Sequence, residues 1–449
     1  MATITPPRDL GRRLPHVEQA QREMRGLLHP GAPFYVVALM PIFWVLGLAY
    51  FTFAIGGVVM GIGLLLVRPI RIPKGFGIWL LYVGWFLTSA LTLDQTVGRY
   101  FSFGLRASVT LGATAMFLYL YNVPKKYLPT SRVLAVLGGL FIFIAIFGGF
   151  MGLIFGEMRL NTPFAQVLPG SIRSDPFVSS IVRPPFAQTQ DFLGFPLNRP
   201  ALPFGFTNQW ASSLAPLIFI AIAAAGHLQR LRRFVVPLAV LAAIPIAISA
   251  NRALWITIVV LGLYVIARRA SDGQLLLAIR FAFIAVFAIA LILVSPLGEV
   301  VSGRATSVHS FEARGDIYTD VLERVPDSPL LGFGAPISNP QPFRPAIGTH
   351  GAFWTALFSQ GIPGAVLYMG FWITMTWRTG RNVATQEHFL LHLAIATSLI
   401  TSFFYDHLPA SLPFMMIAAA LILRDRRETS VASRLARRRA ALSPPTTVA

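Results

Sequence analysis

The sequence predicts an all-α integral membrane protein with about 12 transmembrane helices, and three observations lead there. Hydrophobic residues make up 55% of the chain, charged residues only 12%, and the mean hydropathy is +0.65. The apolar residues gather into runs of roughly 20, the length that crosses a hydrocarbon core of about 30 Å. Between those runs the loops alternate from rich to poor in basic residues, the asymmetry that sets orientation in a bilayer. A net charge of +19 would point to nucleic acid in a soluble chain. Topology accounts for it here, and no nucleic-acid partner is expected. The lack of cysteine excludes disulfides, thiolate metal sites and a thiol nucleophile.

Taken in order, residues 1–33 form a cytoplasmic basic segment with Arg8, Arg12, Arg13, Arg22 and Arg25 and no apolar run, so no signal peptide is expected. A polytopic membrane domain follows over 34–424. Its spans are read near 34–51, 53–67, 75–92, 100–121 and 132–155, then 206–226, 234–249, 252–267 and 275–295. The last three lie near 351–376, 385–404 and 410–423, and 425–449 is a cytoplasmic basic tail. With both termini cytoplasmic, every short inside loop is basic.

Two extracytoplasmic loops are long, about 156–205 and about 296–350, and loops of that size usually carry function. The first is rich in proline, Pro163, Pro176 and Pro200 among them, and reads as an extended strip over the membrane surface. The second holds one helical pattern, SFEARGDIYTDVLERV, with Ile317, Val321 and Val325 on one face. Pro326 and the turn-rich DSPLLGFGAP close it.

One charge stands out against this background. PIAISANRALWITIVVLGLYV carries Asn251-Arg252 in the middle of hydrocarbon. As a single helix, Phe234 to Ile266 would run roughly 50 Å at 1.5 Å per residue, too long for one span. It would also move Arg268-Arg269 to the outer side, against the charge rule. The stretch therefore folds back at Asn251-Arg252. Each arm is only ~24 Å, shorter than the hydrocarbon core, so Arg252 is recessed at the outer leaflet.

The outer face carries ten basic residues, all of them arginine. The chain has 34 Arg and 3 Lys, so composition alone goes far towards that. The functional reading is anion capture, because a guanidinium offers a fixed fork to phosphate and keeps its charge when desolvated. Arg99 and Arg106 share a helix face, and Arg106 lies deep enough in its span to need a partner or an anionic ligand. His350 stands where the second long loop meets the next span, as a cap of that helix or as a general base. The acids Glu312, Asp316, Asp320 and Glu323 have helical spacing, and one could orient Arg314 or act as base. In the turn YDHLP, Asp406 could pair with His407 or with an arginine. His388 and His392, four apart, look like half a metal site but sit at the inner end of a span with no third ligand in view. No Asp-x-Asp pair occurs, and neither metal nor cofactor is expected.

In this setting the chain resembles the O-antigen ligase and O-antigen polymerase superfamily of bacterial envelope proteins. Four stretches carry the resemblance, in order: FGFTNQWASSLAP at 204–216, SANRALWITIVV at 249–260, ARGDIYTDVLERVPDSPLLGFG at 313–334 and THGAFWTALFSQGIPGAVLY at 349–368. Arg252 falls on the family's arginine. Ala253 stands where a glycine is usual, and Gly351 where an asparagine follows the histidine. The resemblance implies a membrane glycosyltransferase of the C type in the bacterial cytoplasmic (inner) membrane, with its active site outside. It implies metal-independent transfer of a glycan from a polyprenyl diphosphate carrier to the hydroxyl of a glycan or glycolipid acceptor. Arg252 and Arg314 would hold the diphosphate, with Arg106 and Arg99 as further diphosphate ligands. His350 would deprotonate, or at least orient, the acceptor hydroxyl, and Asn208, Asp316, Asp406 and His407 are accessory candidates. Ligase and polymerase share these stretches and differ in acceptor. A flippase for an anionic lipid-linked glycan would use the same arginines, without a base and without so long an outer loop.

Overall fold

The computed structural model describes residues 29–65, 69–94, 97–191, 195–227, 232–294, 298, 309–339, 345–381 and 383–442. The chain is mostly helical with few strands. Its helices are α1 (Ala32–Leu46), α2 (Ala49–Leu64), α3 (Phe76–Thr92), α4 (Val97–Asn122) and α5 (Thr130–Phe155). After the first long loop come α9 (Thr207–Ala225), α10 (Arg232–Ile248), α11 (Arg252–Ser271) and α12 (Leu275–Val294). The second loop contains α13 (His309–Arg324), and α14 (Ala352–Gly380), α15 (Gln386–Thr401) and α16 (Ser411–Leu442) complete the fold. Among the described residues five helices are long and apolar enough to cross a membrane: α4, α5, α9, α11 and α14. Five further apolar helices are shorter.

The first half of α16 is the centre of the bundle. Every residue from Ser411 to Asp425 is buried, as a helix apolar on all sides must be. It packs on α4, α9 and α15, and α9 also packs on α5. Helices α2 and α4 cross through glycine: a Cβ on Gly57 would fall 2.2 Å from Gly112 Cα. Only hydrogens allow this approach, which brings α4 and its Arg106 inward.

The first long loop is not the extended strip expected from its prolines. It folds into three short helices, α6 (Pro163–Val167), α7 (Gly170–Arg173) and α8 (Pro176–Val182), and an antiparallel pair, β1 (Ala187–Gln190) with β2 (Leu197–Pro200). Pro163 and Pro176 are first helical residues, where proline costs no hydrogen bond and fixes φ. Thr162 and Asp175 supply the N-caps. Proline here starts helices; it does not keep the chain extended.

The basic loops meet at one end of the bundle. Arg71 N donates to Asn122 Oδ1 at 2.7 Å, Lys125 pairs with Asp425 at 2.7 Å, and Arg426 donates to Thr379 O at 2.9 Å. Arg378 reaches Lys74 O, and Arg269 reaches Gln386.

The chain breaks at Ser249–Asn251 between α10 and α11. The two arms then diverge, α10 packing on α5, and α11 on α12 and α15.

Candidate functional site

The four stretches singled out in the sequence converge on one short segment, residues 402–411 between α15 and α16. From α9, Ser212 Oγ donates to Asp406 O at 3.0 Å. From the first turn of α11, Leu254 N donates to Tyr405 Oη at 3.1 Å, and that hydroxyl lies 3.5 Å from Asn251 Oδ1. From α13, Tyr318 Oη donates to Phe403 O at 3.0 Å, and its ring stacks on Trp354 at 4.5 Å. At the start of α14, Ala352 N donates to Tyr405 O at 2.8 Å and Phe353 N to Ser402 O at 2.9 Å. These bonds satisfy first-turn N–H groups that a helix cannot satisfy by itself.

Arg252 is the first residue of α11 and is half-buried. Its charge adds to the partial positive charge of the helix N-terminus, so the corner is built to meet an anion. The turn before it is strained. Ala250, fully buried, stands at φ 51°, which costs a residue with a Cβ roughly 1–2 kcal/mol.

Arg106 is accounted for by a carboxylate: its Nη2 lies 2.8 Å from Asp406 Oδ2, and the two side chains are 15% and 22% exposed. Asp406 Oδ1 also accepts from Leu408 N at 3.2 Å. A small cavity beside the pair is lined by Tyr82, Thr110, Thr355 and Gln360. His407 is buried against it. Thr401 gives its own proton to Thr397 O, so His407 Nε2–H donates to Thr401 Oγ1 at 2.8 Å, and Nδ1 accepts from Tyr368 Oη. Burial pushes this imidazole down to about 3, and its task is to hold the segment as a neutral ring.

His350 is half-buried just before α14. Thr349 Oγ1 donates to Ala346 O at 2.6 Å, so at 2.9 Å it must accept from His350 Nδ1–H. That bond places the ring's lone pair on Nε2. Arg314 lies on α13, with its side chain outside the described residues. Ile317 and Val321 form the buried face of α13, whereas Asp316 is exposed. Asn208 is half-buried in the first turn of α9.

Arg99 pairs with Asp94 at 2.8 Å and donates to Ala335 O at 2.9 Å and to Phe333 O. It thereby secures the PLLGFG segment in a break of α14. At Gly361 the helix is interrupted, with φ 69°. Phe333 N and Gly334 N donate to the freed carbonyls of Phe358 (3.0 Å) and Ser359 (2.8 Å), and Trp85 Nε1 donates to that of Gln360 (2.9 Å). A Cβ at Gly361 would stand 2.2 Å from Leu330 O. Gly361→Ala is therefore expected to destabilise the protein by roughly 3 kcal/mol through strain and overlap. An unchanged midpoint of thermal unfolding in detergent would refute this.

His388 and His392, four apart in sequence, take different partners. His392 contacts Thr379 at 3.0 Å and Tyr264 at 3.2 Å, while His388 turns to Asp425 at 3.3 Å, beside Glu387. Burial raises the Asp425 pKa, but hydrogen bonds from His388 and Lys125 outweigh it and hold the carboxyl below its ordinary range. The ammonium of Lys125 and the guanidinium of Arg424 already bring cationic charge to this carboxylate. Asp425 is a partner that spacing within one helix could not reveal.

Residues 237–369 match the O-antigen ligase family. Over this region the chain is O-antigen ligase-like. No curated protein matches it. The matched region contains Arg252, Arg314 and His350. It excludes the 402–411 segment on which the O-antigen ligase-like stretches are assembled. Tyr405 escaped the sequence reading, since a lone tyrosine in a short turn carries no periodic signal.

Proposed function

We propose that the chain transfers a glycan from a polyprenyl diphosphate carrier to an acceptor hydroxyl at the outer face of the cytoplasmic membrane. The observation that carries this reading is the convergence of the first turn of α11, which begins with Arg252, the Arg314 helix and the start of α14 after His350 on one segment. The acceptor oxygen attacks the anomeric carbon as the bond from that carbon to the diphosphate oxygen breaks. His350 Nε2 takes the hydroxyl proton. Arg252 and Arg314 neutralise the departing diphosphate, a task that fixed guanidinium groups perform without a metal. Arg106, paired with Asp406, holds the 402–411 segment in place, and Arg99 holds the PLLGFG stretch. Asn208 and Asp316 remain candidates for orienting the acceptor and Arg314. The lipid-linked donor enters from the bilayer, and the acceptor decides between ligase and polymerase.

Purified protein given a polyprenyl-diphosphate-linked glycan is expected to release polyprenyl diphosphate only when acceptor is present, with chelator making no difference. Lipid translocation in vesicles without such release would favour a flippase. His350→Gln is expected to lower the rate roughly 10²–10⁴-fold, the range of general base catalysis, while donor affinity holds. A full rate in this variant would remove His350 from the mechanism.

A further inference from the structure

Arg199 was one of ten outer-face arginines in the sequence, and nothing set it apart. In the structure it is 4% exposed, and two of its nitrogens donate to the turn that precedes Arg252. Nε donates to Ser249 O at 2.6 Å and Nη2 to Asn251 Oδ1 at 3.1 Å, while Nη1 is held by Gln190 Oε1 at 2.5 Å. Arg199 on β2 lies opposite Gln188 and diagonal to Gln190 on β1, so the small sheet of the first long loop carries the clamp. The sheet also packs on the end of α5, where Asn198 Nδ2 donates to Leu153 O at 3.2 Å, and on α9, where Thr207 N donates to Gln188 Oε1 at 2.9 Å. Asn251 Nδ2 completes the circuit to Thr207 Oγ1 at 3.4 Å. Between the two clamped residues stands Ala250 in its left-handed conformation. A strained turn persists only where its surroundings over-determine it, and here the surroundings are Arg199 and Tyr405.

We infer that Arg199 is a positioning residue: through Ser249 and Asn251 it fixes the turn that aims Arg252 at the leaving diphosphate. The inference rests on the role given to Arg252 above. It also gives the first long loop a task, to set the angle of a charge that lies outside it. The clamp uses the planar fork of the guanidinium, with Nε and Nη2 on two acceptors of one turn, and no lysine reproduces that geometry.

The test is the turnover rate, read as polyprenyl diphosphate release, in two backgrounds. Arg199→Ala is expected to lower kcat roughly 10²-fold in the otherwise native chain, the effect of misplacing a catalytic group by about 1 Å. In an Arg252→Lys chain, whose ammonium is no longer aimed by the turn, the same change is expected to cost less than about threefold. A residue that merely supports the fold would cost the same factor in both backgrounds, and that result would overturn the inference. Should Arg199→Ala fail to fold, Asn251→Ala and Gln190→Ala remove one partner each without removing the buried charge. Each is expected to lower kcat roughly 10-fold, and full rates in both would equally overturn it. Native turnover in Arg252→Ala would instead sink the underlying site assignment. Loss there, with native rates in the Arg199 and Asn251 variants, would sink the positioning role alone.

Discussion

Arg252→Ala is expected to reduce glycan transfer roughly 10³-fold while the protein still folds and still reaches the membrane. The magnitude follows from the charge that develops on a departing diphosphate. A guanidinium aimed there, at the N-terminus of α11, lowers the barrier most when the charge is greatest, so the loss falls on kcat more than on KM. Arg252→Lys keeps the charge but not the fork, and should recover only part of the rate. The fold should tolerate the loss, because Arg252 is half-buried and the turn before it is held by other side chains, Arg199 and Tyr405. Release of polyprenyl diphosphate by the purified variant, set against its thermal midpoint, separates the two effects. Turnover equal to that of the native chain would end the assignment.

The second large effect is on stability. Asp406→Ala leaves the Arg106 guanidinium buried without its carboxylate, and breaking a buried pair costs about 3–5 kcal/mol. The lower end applies here, since both members keep some exposure. The double variant Arg106→Met/Asp406→Leu should recover most of that loss, because it removes both desolvated charges and fills their space. Activity gives the contrast: the double variant should be stable and still impaired, because Asp406 also shapes the segment that anchors α9, α11 and α14. Unfolding in detergent followed for the native, single and double variants would decide it. Equal midpoints for Asp406→Ala and the native chain would show that the pair is not a support.

Much of this arrangement is legible in the sequence, and the part that is not has a common cause. The break at Asn251-Arg252 follows from two lengths and a charge rule, and the structure breaks the helix there. The apolar face of α13 follows from its spacing, and Ile317 and Val321 are buried. The need for a partner at Arg106 follows from its depth in a span, and Asp406, some 300 residues later, meets it. Apart from one local miss, pattern fails where the cause is long-range. The local miss is the first long loop, read as extended from its prolines, whereas the N-caps Thr162 and Asp175, each directly before a proline, make two of those prolines helix starts. Spacing within α15 showed no further partner for His388, whereas α16 brings Asp425 to it. Arg199 and Tyr405 bear on the site through partners about 50 and 150 residues away, beyond the reach of any periodicity.

The central position of α16 also bears on how such a protein is made. Ribosomes deliver the chain from its first residue onward, so all four family-like stretches enter the membrane before residues 402–425 exist. Until then α4, α9 and α15 enclose a space with nothing to fill it, and the first turns of α11 and α14 lack their acceptors. The contacts that join α9, α11, α13 and α14 through residues 402–411 can therefore form only after that segment has been made, so the packing of the earlier helices is completed from the C-terminal side of the bundle.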